Sequence, residues 1–133
     1  MKAIKKFLAL GISIVTILSL SACGQSMEKN LQKNTWTISK ANNESFDDVK
    51  FNENGKFNIK VLGTTQEYNY QVSKGDKEFK LSRNGYYVKF KVESASSKEY
   101  KLKYSSAKIT DPSATSVRLP DLKRDYKVMN IYR

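Results

Sequence analysis

From Trp36 to Tyr104, apolar and polar residues alternate. The apolar positions recur two apart, as Val49/Phe51, Phe57/Ile59/Val61, Tyr68/Tyr70/Val72, Phe79/Leu81, Tyr86/Val88/Phe90/Val92 and Tyr100/Leu102/Tyr104, with Lys, Asn, Gln and Glu between them. A period of two puts every other side chain on the same face of a strand, so each run predicts a strand with one buried and one wet face. No segment of comparable length carries a 3.6-residue stripe. The pattern therefore predicts an all-β fold, an antiparallel meander of about eight strands.

The turns test this reading, because a pairing displaced by one residue would send apolar side chains to opposite faces. Asn52-Glu53-Asn54-Gly55-Lys56, with Gly55 left-handed, pairs Phe51 with Phe57 and Val49 with Ile59. A Gly63-Thr64 turn sets Ile59 opposite Tyr68, Phe57 opposite Tyr70 and Lys60 opposite Glu67. Gly75-Asp76 pairs Val72 with Phe79 and Tyr70 with Leu81, and Asn84-Gly85 pairs Leu81 with Val88 and Phe79 with Phe90. Centring the loop Glu93 to Lys98 near Ser96 pairs Val92 with Tyr100, Phe90 with Leu102 and Val88 with Tyr104. Each turn preserves one continuous apolar face. Past Ile109, Thr110 to Ser113 reads as a turn, Val117 and Leu119 as a short strand ended by Pro120, and Tyr126 to Tyr132 as a last strand apolar on both sides. Hairpin following hairpin favours closure into an up-and-down barrel over a sandwich, because closure removes both exposed edges.

Ahead of this β region, for which we set the boundaries at 34–133, the chain changes character. Lys2, Lys5 and Lys6 precede an uncharged run from Phe7 to Leu20, and Leu20-Ser21-Ala22 then leads to the only cysteine, Cys23. A basic start, a short apolar run and a small-residue end describe a helical secretory signal over 1–22, too short for a permanent span. Leu20-Ser21-Ala22-Cys23 resembles the lipobox of bacterial membrane lipoproteins. That resemblance implies a covalent diacylglyceryl lipid on the sulfur of Cys23, often with a further acyl chain of the palmitate kind on the new amino terminus. It implies a protein anchored to the cell membrane on its extracytoplasmic side. An unpaired thiol on an exported chain would otherwise be an oxidation liability. Residues 23–33 then read as the lipidated cysteine and a polar tether, with room for one helical turn. Removing 22 residues from 133 leaves 111, enough for one domain; removing three signal lysines from 24 basic residues leaves 21 against 13 acidic ones, a charge of +8.

Asn34-Thr35-Trp36-Thr37 followed by Phe51-Asn52-Glu53-Asn54-Gly55-Lys56-Phe57 resembles the opening of the lipocalin-like domains of small bacterial lipoproteins, although Asn34 stands where lipocalins usually have glycine. The resemblance implies a closed barrel whose blocked end is plugged by Trp36, and a binding module. From the alternation alone, the inward face gathers Tyr68, Tyr70, Phe79, Tyr86, Phe90, Tyr100 and Tyr104, and with Trp36 these are the candidate ligand-binding residues. An eight-stranded barrel is wide enough either to be filled by its own side chains or to hold one small ligand. Tyrosines around a cavity would suit an apolar ligand with a polar end; around a solid core they would send their hydroxyls to the rim.

The outward face gathers cations. In the same register Lys80 lies opposite Lys89, Lys89 opposite Lys103, and Lys91 opposite Lys101 with Glu78 beyond it. Opposed like charges cost a few tenths of a kcal/mol each, so a patch of five lysines invites either an anionic partner, such as lipid headgroups or an acidic envelope polymer, or a solvated face that resists aggregation. An exported chain is not expected to meet nucleic acid.

Catalysis finds little footing. The chain has no histidine, and its single cysteine is assigned to the lipid, which removes Ser-His-Asp and Cys-His chemistry and the usual zinc, haem and iron-sulfur ligand sets. Glu44, Asp47 and Asp48 beside Asn42 and Asn43 read as a polar loop in preference to a weak calcium site. We expect no enzyme activity, no metal and no cofactor beyond the lipid.

Overall fold

Eight strands close into a barrel in which each pairs antiparallel with its sequence neighbour and the last pairs back onto the first. A computed structural model describes residues 26–133; the signal segment and Cys23 lie outside the described residues. In chain order the elements are α1 (Met27–Lys33), β1 (Thr35–Lys40), β2 (Ser45–Phe51), β3 (Lys56–Val61), β4 (Thr64–Val72), β5 (Glu78–Arg83), β6 (Tyr86–Ala95), β7 (Glu99–Ile109), a 3-10 turn (Pro112–Ala114), α2 (Leu119–Asp125) and β8 (Val128–Tyr132). Closure sets Ile38 opposite Ile131 and Ser39 opposite Asn130. The expected all-β meander and its closure are present.

The expected face is kept throughout, whereas two registers differ. Phe51 lies opposite Phe57, Tyr70 opposite Leu81, and Leu81 opposite Val88, as the turns require. Between β3 and β4 the turn is Leu62-Gly63, not Gly63-Thr64, so Phe57 faces Tyr68 instead of Tyr70 and Lys60 faces Thr65. Both turn residues are left-handed, with φ of 49° and 82°, the geometry that a tight hairpin turn demands. A displacement of two residues leaves every side chain on its expected face. Between β6 and β7, Phe90 faces Tyr104 and Val92 faces Leu102, because two irregularities interrupt the ladder. One leaves Ser105 unpaired, which keeps Ala107 and Ile109 on the same face as Tyr104 even though the alternation changes parity there. The loop is also tighter than expected: the Ser96 N–H donates to the Glu99 carbonyl, and the Ser96 hydroxyl accepts from the Lys98 and Glu99 amides.

The largest departures lie at the two ends of the barrel. The stretch read as a tether is, from Met27 on, a helix that plugs one end. Met27 and Leu31, four apart and so on one face, are buried in the core, and Ser26 caps the helix by accepting from the Lys29 amide. Asn30, the buried polar residue of this helix, donates to the Tyr100 hydroxyl at 2.7 Å and to the Ser97 carbonyl at 3.2 Å. At the opposite end, Val117 and Leu119, read as a short strand, form none: Val117 lies in irregular chain and Leu119 opens α2. Pro120 sits in the first helical turn, where its missing N–H has no partner to lose, and Leu122 and Tyr126 are buried. The final strand accordingly begins at Val128, with Met129 and Ile131 inward and Val128 and Tyr132 exposed. Among the described residues the closed ladder, both end caps and the core make one folding unit that spans Met27–Arg133.

Candidate functional site

The barrel interior is packed with rings. Phe51, Phe57, Phe79 and Phe90 are at most 1 % exposed. Phe57 stacks on Tyr68 at 5.2 Å, Phe51 meets Tyr70 edge-on at 5.1 Å, Phe79 lies 6.2 Å from Phe90, and Phe90 meets Tyr126 at 5.9 Å. Of the eight candidate ligand-binding residues, Trp36, Tyr68, Tyr70, Phe79, Tyr86, Phe90 and Tyr100 are buried members of this core. Tyr104 is only partly buried and packs at its edge. The side chains expected around a cavity are thus brought together, and they touch one another.

Tyrosine hydroxyls collect at the two ends, where an aromatic body and a polar tip are both satisfied. At the α1 end the Tyr70 hydroxyl donates to the Asn52 carbonyl at 2.7 Å and accepts from Gln32 at 2.9 Å. Burial is the main cause that raises its phenol above the ordinary range. Trp36 sits at this end; its indole lies 5.7 Å from Tyr100, with the Arg133 guanidinium 5.6 Å from its ring. At the far end the hydroxyls of Tyr68, Tyr86 and Tyr126 interact. Burial and the neighbouring Tyr68 push Tyr86 up to about 12, and burial raises Tyr126 well above the ordinary phenol range. Lys40 closes that end, 4.2 Å above the Tyr126 ring and 2.9 Å from the Glu44 carboxylate. Hydrogen bonds from Lys40 and Asn42 hold Glu44 below the usual carboxylate range. Asp47 and Asp48, read with Glu44 as a polar loop, instead lie on β2, where Asp47 accepts from the Thr37 hydroxyl. Among the described residues no group of three or more His, Cys, Asp or Glu is placed to hold a metal ion.

The outer wall carries the lysines. Lys80 lies opposite Lys89, and the ring of Tyr87 lies 4.5 Å from one ammonium and 5.9 Å from the other. Lys91 lies between Glu78 on one side and Lys103 on the other. The expected Lys89–Lys103 and Lys91–Lys101 pairs are replaced, because the ladder irregularities shift β7: Lys89 faces Ser106, and Lys101 faces Ser94 and Asn130. All five lysines remain on one wall, joined by Lys108 opposite Tyr87.

Two recesses open on the surface. One, of about 580 Å³, has a mostly polar lining that includes Glu28, Glu53, Asn69 and Gln71 beneath α1. The other, of about 470 Å³, lies where α2 meets β7 and is lined by Lys103, Tyr104, Pro120, Lys123, Arg124 and Lys127. Sequence reading missed the second recess, because it required Pro120 to start a helix; the dense Lys/Arg run from Arg118 to Lys127 was the available signal. Neither a protein-family model, nor a curated protein, nor a solved structure matches the chain.

Proposed function

We propose that this chain is an extracytoplasmic lipoprotein, anchored to the cell membrane by a diacylglyceryl group on Cys23, whose lipocalin-like barrel is a binding module that works through its outer wall. Its partner on this reading is an anionic surface, lipid headgroups in the first place, and its role is recruitment rather than catalysis. The observation that supports it is the contrast between a core filled by aromatic side chains and a wall on which Lys80, Lys89, Lys91, Lys101 and Lys103 share one face. A ligand inside the barrel would have to displace rings already in contact. A ligand on the wall meets lysines worth about 1 kcal/mol each beside an anionic membrane.

Residues 24–133, with the five wall lysines intact or all replaced by Gln, would be sedimented with vesicles of phosphatidylglycerol and phosphatidylcholine in equal parts. Salt-sensitive binding by the intact chain and a loss of more than about a hundredfold in the variant are expected. Equal binding by both would overturn the reading. Binding to a soluble acidic polymer but not to vesicles would move the partner from the membrane to the envelope.

A further inference from the structure

We propose that the groove between α2 and β7 is a binding site for a small amphipathic anion, an apolar body ending in a carboxylate or phosphate. The proposal deepens the binding-module reading and relies on it only for the sign of the ligand's charge. Its volume, about 470 Å³, falls in the range of small-molecule sites. Its floor is apolar, made by the partly buried Tyr104 ring and by Pro120. Its rim is cationic. Arg124 is held by Asp121 at 3.2 Å and by Asp125 at 3.0 Å, whereas Lys103, Lys123 and Lys127 form no ion pair among the described residues.

The groove is built rather than incidental. The Tyr104 amide donates to the Lys127 carbonyl at 3.1 Å, which fixes the exit of α2 against β7, and the buried Leu122 holds the helix to the core. Three exposed ammonium groups around an apolar floor repel one another and, among the described residues, enter no ion pair. An anion with an apolar tail answers both features at once: its head neutralises the lysines, and its tail removes the floor from water.

The test uses isotope-labelled residues 24–133 titrated with dodecanoate and, separately, with dodecyl phosphate, both below their micelle concentrations, while backbone amide resonances are followed. Saturable shifts centred on Lys103, Tyr104, Lys123 and Lys127 are expected. Affinity should rise about fourfold for each methylene added to the shorter alkanoates until the floor is covered. The double variant Lys123→Gln/Lys127→Gln should bind about tenfold more weakly with an unchanged amide spectrum elsewhere. Binding of both probes defines a general anion site, and binding of the phosphate alone defines a phospholipid-type ligand; either supports the proposal. It is overturned by no binding of either probe, by unaltered affinity in the double variant, or by shifts centred on Tyr68, Tyr86 and Tyr126. The double variant keeps all five wall lysines, and a four-lysine wall variant that retains Lys103 keeps the whole groove rim, so failure of the groove and failure of the wall are read separately.

Discussion

The indole nitrogen of Trp36 donates a hydrogen bond to the backbone carbonyl of Leu31 at 3.0 Å, tying the plug helix α1 to the first strand. Both side chains are fully buried, so the bond is formed away from water and its loss leaves a carbonyl unmatched. Trp36→Phe is expected to cost about 1–3 kcal/mol for the unmatched acceptor alone. Leu31→Ala should cost about 2–5 kcal/mol, the range for an emptied core position. Urea unfolding of residues 24–133 measures both. A Leu31→Ala cost of only a few tenths of a kcal/mol would make α1 a detachable tether instead of part of the fold.

Why α1 was illegible as core follows from its composition. Two apolar residues, Met27 and Leu31, in seven helical positions make no stripe that a periodicity argument can recognise, and their burial depends on the open barrel end beneath them. The strands were legible because alternation fixes which face a residue occupies, and that parity survived even where registers moved by two. It does not fix the register itself, which depended on Leu62 adopting a left-handed conformation and on Ser105 being left out of the ladder. For the same reason the five wall lysines were placed on the correct face but with two wrong partners. The groove at α2 required a tertiary fact, that Pro120 starts a helix whose Leu122 reaches the core, and no local pattern carries that.

Two glycines with nearly equal backbone angles should respond differently to alanine. Gly63 (φ 82°) has open space where a Cβ would stand, whereas at Gly85 (φ 86°) the Cβ would lie 2.6 Å from the Asp111 carbonyl oxygen. The Gly85 carbonyl also accepts from the Thr110 and Asp111 amides, which pins the loop after β7 over this turn. Gly63→Ala should cost about 1–2 kcal/mol, the left-handed penalty. Gly85→Ala should exceed it, because backbone must also move. Thermal unfolding of the two variants side by side decides it; equal costs would mean that the loop yields freely.

The tyrosine cluster at the far end sets an alkaline limit. Tyr86 is pushed up to about 12, chiefly by burial, against about 10 in an unfolded chain. The folded protein therefore holds this proton more tightly than the unfolded chain does. The stabilisation is fully present below pH ~10 and is lost as the pH rises through ~12, with Tyr126 shifted in the same direction. Ultraviolet titration should resolve phenols that ionise later than the rest, and Tyr86→Phe should remove one of them. Ionisation of all eight tyrosines in a single step near pH 10 would contradict the buried cluster.

Reversing one charge on the wall should separate stability from binding. Lys80 and Lys89 are directly opposed, so Lys80→Glu converts a repulsive pair into an attractive one and is expected to stabilise by about 0.2–1 kcal/mol at low salt. The gain should fade near 1 M salt, where the screening length is about 3 Å. On the proposed function the same variant binds anionic vesicles more weakly. A variant both more stable and equally well bound would show that this lysine pair has no part in recognition.

If Cys23 carries the lipid, the plug helix also sets the orientation of the barrel. Only Gly24, Gln25 and Ser26 separate Cys23 from Met27, so the two α-carbons lie at most about 14 Å apart. Met27 cannot swing away, because its side chain is buried and its amide donates to the Asp76 carboxylate at 2.9 Å. The α1 end, with the Ser97 loop beside it, must then face the membrane. The Leu62 turn lies at the other end, roughly 25–30 Å away for an eleven-residue strand such as β7 tilted as barrel strands are. Fluorophores placed by Ser97→Cys or Leu62→Cys on the lipidated chain in vesicles with headgroup quenchers should report strong quenching at 97 and little at 62. Equal quenching at both sites, with the lipid on Cys23 verified by mass, would mean that α1 leaves its seat in the anchored protein. Absence of the lipid mass would remove the anchor itself.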